Sequence, residues 1–401
     1  MQFMFESLDD LAGQLQEKHS DLYLFFGNTA DIVDRLLQQE SIDAVFCNKD
    51  YTPFSLKRDD AIEQLCVKYS INFISKDDVL LNSPESIKTR NNEPFSIFTP
   101  FYKQSVTLPV ALPCIMKKNN FYRGTLANTI SSMQLKRILP YENKQCAVRG
   151  GTQQALKKLR HCLQFKNYAQ ERDFPAIETT RLSAHNKFGT ISIRQVYHEL
   201  ASGLGSNHPL LRQLYWRDFF TMIAYFSPFV FGHPFRAKFE RIPWHTNKAD
   251  FERWCDGTTG FPIVDAGMRE LNTTGFMHNR VRMIVGSFLT KDLHINWQLG
   301  EKYFAQQLVD YDPCVNNGNW QWVASTGADA QPYFRIFNPW LQQKKFDPQC
   351  SYIKKWIPEL RSFSPTTIHA WFEQKISTSY PKPMLDHDVE SKKAKKMYAA
   401  I

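Results

Sequence analysis

The richest chemistry in this chain lies in one thirteen-residue run, Asp310-Tyr311-Asp312-Pro313-Cys314-Val315-Asn316-Asn317-Gly318-Asn319-Trp320-Gln321-Trp322. Two carboxylates, the adjacent amides of Asn316 and Asn317, and two indoles make it too polar for a plain core and too apolar for a plain loop. Carboxylates and amides can accept from and donate to the edge of a heterocycle, and indoles can stack on it or pass electrons. A second segment, His278-Asn279-Arg280-Val281-Arg282-Met283, places Asn279, Arg282 and Met283 on one helix face and Arg280 on another. That separation suits one short helix serving a buried site and a polyanion together, or else a surface helix with two ordinary arginines. In Gln213-Leu214-Tyr215-Trp216-Arg217-Asp218-Phe219-Phe220, the spacing i, i+3, i+4 puts Gln213, Trp216 and Arg217 on one face. An amide, an indole and a guanidinium there suit a flat, polar-edged aromatic ligand, or a core edge with Trp packed and Arg snorkelling. The fourth segment has Tyr168, then Arg172-Asp173-Phe174-Pro175, then Thr179-Thr180-Arg181-Leu182-Ser183. Hydroxyls beside an arginine ahead of a helix start can hold phosphate, or simply cap the helix.

These segments need a scaffold, and composition bounds it. A chain of 401 residues implies two or three domains, and 43% hydrophobic with 22% charged residues argues against wholesale disorder. No apolar run reaches the ~18–20 residues of a membrane helix; the densest stretch, 222–231, is broken by Ser227 and Pro228. The first residues show neither a basic n-region nor a cleavage site. The eight cysteines form no CxxC pair and no His-flanked metal spacing, which predicts a reduced, metal-free, cytoplasmic protein. The net charge of +9 favours a polyanionic partner, most often nucleic acid, though a basic surface kept for solubility reads equally well from charge alone. All nine tryptophans lie at or after position 216, so two architecturally different halves are expected.

Along the chain, a helix over 2–18 precedes an apolar run at 22–27. A helix at about 30–40, a run at 43–47, a helix at 56–69 and a run at 71–74 follow. Short buried strands alternating with helices predict a parallel, Rossmann-like α/β sheet, here truncated at its front because the chain opens on a helix. From 84 to 150 prolines punctuate a polar stretch that reads as a surface connector. Beyond Gly151 the pattern is helical, with Thr152 and Thr190 or Ser192 as caps and further helices at 209–226, 248–256, 261–272, 277–293 and 298–309. The lysine-rich tail reads as a solvated helix end or a frayed terminus. There is no Gly-x-Gly-x-x-Gly after a strand and no Walker loop.

Taken together, the four segments and Pro332-Tyr333-Phe334-Arg335-Ile336-Phe337-Asn338-Pro339 resemble the photolyase/cryptochrome family. They are most similar to its class I cyclobutane pyrimidine dimer branch. The resemblance runs in order from Asp43 to Leu360 and implies a truncated α/β antenna domain at 1–83, an interdomain connector at 84–150 and an all-α FAD-binding, DNA-binding catalytic domain at 151–401. By motif position, Tyr168, Thr179, Thr180, Leu182 and Ser183 would hold the phosphates and ribityl chain of FAD. Arg217, Asn279, Arg282, Asp310, Asp312 and Asn316 would line its ring system, with Arg282 and Asp310 as a charge pair and Asn316 near flavin N5. Trp320, Trp297 and Trp244 match the family's three-tryptophan relay. Gln213, Trp216, Met283 and Trp322 would receive the dimer, and Arg172, Arg280 and Arg335 would grip DNA phosphates.

The reaction implied is light-driven repair. Excited reduced flavin lends an electron to a flipped-out pyrimidine dimer, the cyclobutane ring opens, and the electron returns. Two departures stand out. Gln213 replaces the glutamate usual in cyclobutane-type enzymes. Glutamine occurs there in (6-4) photoproduct enzymes, which, however, carry histidine at the position of Met283. The opening strand and Arg-rich loop of the family are also missing, which bears on any antenna chromophore (folate or deazaflavin). The alternatives are a cryptochrome-like blue-light receptor without repair activity and a (6-4) photoproduct enzyme. A monomer, cytoplasmic and nucleoid-associated when on DNA, is expected.

Overall fold

Two short strands, β1 (Ala44–Asn48) and β2 (Asn72–Lys76), run parallel with Ala44 opposite Asn72 and Asn48 opposite Lys76. Parallel neighbours need a crossover, and the helix Pro53–Lys68 supplies it. Thr52 caps that helix through the Ser55 N–H, and Pro53 fills the first position, where no backbone donor is needed. Leu37, Ile62 and Cys66 form a small core between this helix, the helix Thr29–Gln39 and the strands, with Val45 and Phe73 packed against it.

The computed structural model describes residues 1–114, 120–131, 134–135, 137, 142–374 and 378–401. The chain forms two compact units. The first takes in Met1–Lys144, Val148–Lys166 and Thr180–Pro228, and the second Gln145–Ala147, Asn167–Thr179 and Phe229–Ile401. Among the described residues, β1 and β2 are the whole sheet.

Three local expectations are corrected in the first unit. The apolar run 22–27 is not a sheet strand; it makes one antiparallel bridge, Leu24 to Ile130, and leaves Phe26 at the surface. Apolar content signals burial, whereas a strand also needs a neighbour for its backbone groups. The stretch 84–150 is not connector throughout, because Phe98–Ser105 is a helix with Phe98 and Phe101 buried. Pro100 sits in its first turn, where the missing N–H costs nothing. Thr152 opens a helix, Thr152–Cys162, whose cap is Gly151 at φ +100°. Ser192 does cap the next long helix, Ile193–Leu204, accepting from the Arg194 N–H. The helix Pro209–Phe226 is the unit's longest and is buried along most of its length.

In the second unit the helices Lys248–Asp256, Pro262–Thr274, Asn279–Ser287, Trp297–Gln307, Pro313–Val323 and Ser351–Trp356 contribute to one large apolar core. Trp254, Trp297, Trp320, Phe261, Phe288 and Phe304 lie inside it. The expected helix 277–293 is an α-helix that widens into a π-helical turn, Phe288–Asp292. The lysine-rich tail is neither frayed nor wholly solvated. It forms the helix His387–Ala399, whose Ala394 and Tyr398 are buried. His387 Nδ1 meets Asp292 Oδ1 at 2.5 Å, and His294 Nε2 meets Glu390 Oε2 at 2.8 Å.

Candidate functional site

The thirteen-residue run becomes a helix because Asp312 caps it, its Oδ1 accepting from the Val315 N–H at 3.1 Å, and because Pro313 starts it. Asp310, just before the cap, receives Arg282 Nη2 at 3.0 and 3.2 Å, and its side chain is only 5% exposed. Arg282 is oriented further by its Nε, which donates to the Met277 carbonyl at 2.8 Å. The expected charge pair therefore exists, with the anion withdrawn from water and its charge compensated. Asn279 sits on the same helix face and its amide reaches Met283 Sδ at 3.8 Å. Arg280 points elsewhere, as its position in the turn requires, and pairs with Asp173 at 2.9 Å.

Asn316 is nearly buried, and its amide nitrogen donates to the Glu301 backbone carbonyl at 3.1 Å and to Glu301 Oε1 at 2.9 Å. Burial pushes the Glu301 carboxyl up, and the Asn316 hydrogen bond opposes that rise. Glu301 was not among the residues singled out from sequence; it is one acid on the helix Trp297–Gln307, and only the fold brings it to Asn316. The other amides have structural partners. Asn317 Nδ2 and Gln321 Nε2 both donate to the Val230 carbonyl, at 2.9 and 3.2 Å.

Trp320 and Trp297 are buried in the second unit's core, and Trp244 is half-buried against it. Trp320 lies against backbone on two sides. A Cβ on Gly300 would fall 2.2 Å from its Cη2, and one on Gly286 3.6 Å from its Cζ3. Gly300 lies one turn after Trp297, on the same helix face. Trp244 meets Tyr398 edge-on, with centroids 6.2 Å apart. Trp322 and Met283 are half-buried, while Arg172 and Arg335 are exposed.

The remaining candidates belong to the first unit, except Tyr168 and Thr179, which belong to the second. Trp216 stacks on Phe98, with ring centroids 3.6 Å apart and planes 6° apart, so one indole face is covered. Its core-edge character is thus realised on that side. Arg217 donates to the Val79 carbonyl at 2.5 Å and lies 3.6 Å from Asp218. Asp218 is buried, which pushes its carboxyl up to about 7, while the Arg217 charge opposes the rise. Gln213 Nε2 donates to the Pro209 carbonyl at 3.3 Å. Thr180 accepts from the Leu182 N–H at 3.5 Å, Leu182 is buried, and Ser183 begins the helix Ser183–Phe188. Arg181, between them, has φ +49°.

Within each unit the groups present suit parts of a flavin dinucleotide. Hydroxyls and backbone N–H groups suit its phosphates, and a compensated guanidinium–carboxylate pair with a fixed amide suits a ring edge of alternating donors and acceptors. The buried Oδ1 of Asn186 has no hydrogen-bond donor among the described residues, so it too can take a polar ligand group. Among the same residues no cluster of potential ligands could hold a metal ion.

A short parallel α/β region combined with a helical unit of this kind is the photolyase/cryptochrome architecture. This chain belongs to the DNA photolyase family. The family profile "DNA photolyase" matches residues 1–115, and the profile "FAD binding domain of DNA photolyase" matches residues 210–400. The chain is 35% identical over 412 residues to the deoxyribodipyrimidine photo-lyase of Alkalihalophilus pseudofirmus, covering 98% of this chain and 86% of that one. Among solved structures it resembles the archaeal photolyase of Sulfolobus tokodaii with two FAD molecules, at TM-score 0.90 and 40% identity over 100% of this chain and 88% of that one. It also resembles the Synechocystis cryptochrome, at TM-score 0.89 and 27% identity over 99% and 87% of the two chains.

Proposed function

We propose that this chain is a deoxyribodipyrimidine photo-lyase that uses FAD and blue light to split cyclobutane pyrimidine dimers in DNA. The observation that carries the reading is the Asn279/Arg282/Met283 face, locked to the buried carboxylate of Asp310 in a chain that is 35% identical to an enzyme of that name. The lower identity to the cryptochrome, 27% against 40% for the archaeal photolyase, favours repair over signalling.

FAD, when bound, supplies the photoexcited electron. The protein's part is positioning and electrostatics. Arg282, paired with Asp310, would present a guanidinium to the ring edge without leaving an uncompensated charge. Glu301 holds the amide of Asn316. Trp320, Trp297 and Trp244 offer oxidisable indoles running from buried to half-buried surroundings. Trp216, one face covered by Phe98, is the indole assigned to a base of the dimer, and Met283 and Trp322 are assigned the exclusion of water from it. Arg172 and Arg335, both exposed, are free to meet phosphates, consistent with the charge of +9. On this reading residues 1–83 are the antenna-type domain and 151–401 the catalytic domain.

Illumination of the holoenzyme with oligonucleotides bearing either a cyclobutane dimer or a (6-4) photoproduct tests the proposal. Repair of the first alone is expected; no light-dependent repair would sink it. Gln213→Glu is expected to raise the repair yield per absorbed photon, because a carboxyl can supply the charge or proton that an amide lacks. An unchanged or lower yield would remove Gln213 from the dimer site.

A further inference from the structure

Arg280 is the one expected phosphate contact that is already engaged. Its backbone N–H is capped by His278 Nδ1 at 3.1 Å, which fixes where the side chain leaves the helix. The guanidinium then lies over Phe346, with Cζ 4.4 Å from the ring centroid, and its Nη2 bonds Asp173 Oδ1 at 2.9 Å. Phe174, next to Asp173, meets the same ring edge-on at 6.1 Å. The Arg280 side chain is only 14% exposed, whereas that of Asp173 is 36% exposed. A planar cation held against an aromatic face has little freedom to seek another anion, so a phosphate must come to it. Its Nε is buried, so a phosphate is left the Nη side, where the Asp173 carboxylate sits.

We propose that Asp173 is a built-in competitor for DNA phosphate at Arg280. It keeps the guanidinium placed and neutralised in the free protein and is displaced from it when DNA binds. The inference rests on the reading of Arg280 as a phosphate contact. Displacement leaves Asp173 as an uncompensated anion beside the backbone, which takes up a cation from solution. That uptake offsets part of the counterion release that drives binding. The residue therefore lowers affinity for any duplex and flattens its salt dependence.

The test uses the holoenzyme and a fluorescein-labelled undamaged duplex, with anisotropy titrations across a salt series, for wild type, Asp173→Asn, Arg280→Gln and the double variant. Asp173→Asn is expected to tighten binding about two- to fivefold at low salt, the range for a partly exposed ion pair. It should also steepen the slope of log K against log salt by up to about 0.9. In the Arg280→Gln background the same substitution should do much less. Unchanged or weaker binding by Asp173→Asn, or equal tightening in both backgrounds, overturns the inference while leaving Arg280 a phosphate contact, provided Arg280→Gln itself weakens binding. If Arg280→Gln binds as wild type does, the phosphate role of Arg280 fails, and the inference fails with it.

Discussion

The two units protect their interiors differently. The first carries Gln213, Trp216 and Arg217 on one long helix, Pro209–Phe226, while its two-stranded sheet is backed by a small core and its surface leaves Phe26, Phe46 and Phe54 in solvent. The second gathers its tryptophans around a single aromatic core in which the Trp320 indole lies against Gly300 and Gly286. Buried histidines show the same contrast. In the second unit His387 and His294 face carboxylates, whereas His185 in the first meets the Thr190 hydroxyl, at 2.7 Å from Nδ1, and the edge-on ring of Phe3. Groups that must hold a geometry to a fraction of an ångström are best placed where packing constrains them from several sides.

Acid should separate the units most strongly. Burial pushes the His185 imidazole down to about 4. Its unfolded value is near 6.5. Below that pH the unfolded chain binds a proton that the folded chain refuses, so stability present above pH 6.5 drains away as pH falls toward 4. The contribution of this residue should reach about 3 kcal/mol, opposed by the buried Asp218 carboxyl of the same unit, whose raised pKa adds stability as pH falls. Denaturant unfolding of wild type and His185→Gln at several pH values checks it, the stability lost between pH 6.5 and 4 being smaller in the variant by that amount; profiles of equal slope would break the contrast. Next in size is Gly300→Ala, whose added methyl would collide with Trp320 and with Leu289 at 2.5 Å. A loss of about 2 kcal/mol is expected for such overpacking, read as a fall in calorimetric Tm. No fall would mean that the Trp320 contact gives way easily. Glu301→Leu removes the side-chain acceptor of Asn316 and leaves only the backbone carbonyl, and the midpoint potential of bound flavin should move by up to about 59 mV, equivalent to about 1.4 kcal/mol. Glu301→Gln, which keeps an acceptor, should behave as wild type; if it behaves like the leucine variant, charge rather than orientation is at work. The smallest effect is expected at Phe46, 68% exposed on β1, where Phe46→Ala should change stability by less than about 0.5 kcal/mol. A larger loss would show that the sheet's outer face is not free.

Where the sequence could be read, a local signal and the tertiary outcome agreed. Asp312-Pro313 announces a helix start, and the structure uses both residues for it. The i, i+3, i+4 spacing put Asn279, Arg282 and Met283 on one face, and a long-range partner, Asp310, arrived from the run 310–322. Where reading failed, the deciding partner lay elsewhere in the chain. Pro100 looked like punctuation but occupies a first turn. The run 22–27 looked like a strand but has no ladder neighbour among the described residues. Glu301 carried no signal of its own, because its meaning comes from Asn316, fifteen residues away. Asn317 looked as ready for a ligand as Asn316, yet with Gln321 it holds the backbone at Val230.

The two imidazole–carboxylate contacts of the last helix have a mechanical consequence. Each joins positions 95 or 96 residues apart, and they lie side by side in the sequence at 292–294 and 387–390. They act as a clasp that closes a circuit of nearly a hundred residues, so the tail cannot peel away one turn at a time while the rest stays shut. Amide hydrogens near Tyr398 should therefore exchange in step with those of the tryptophan core, and a protease should find that end as resistant as the middle.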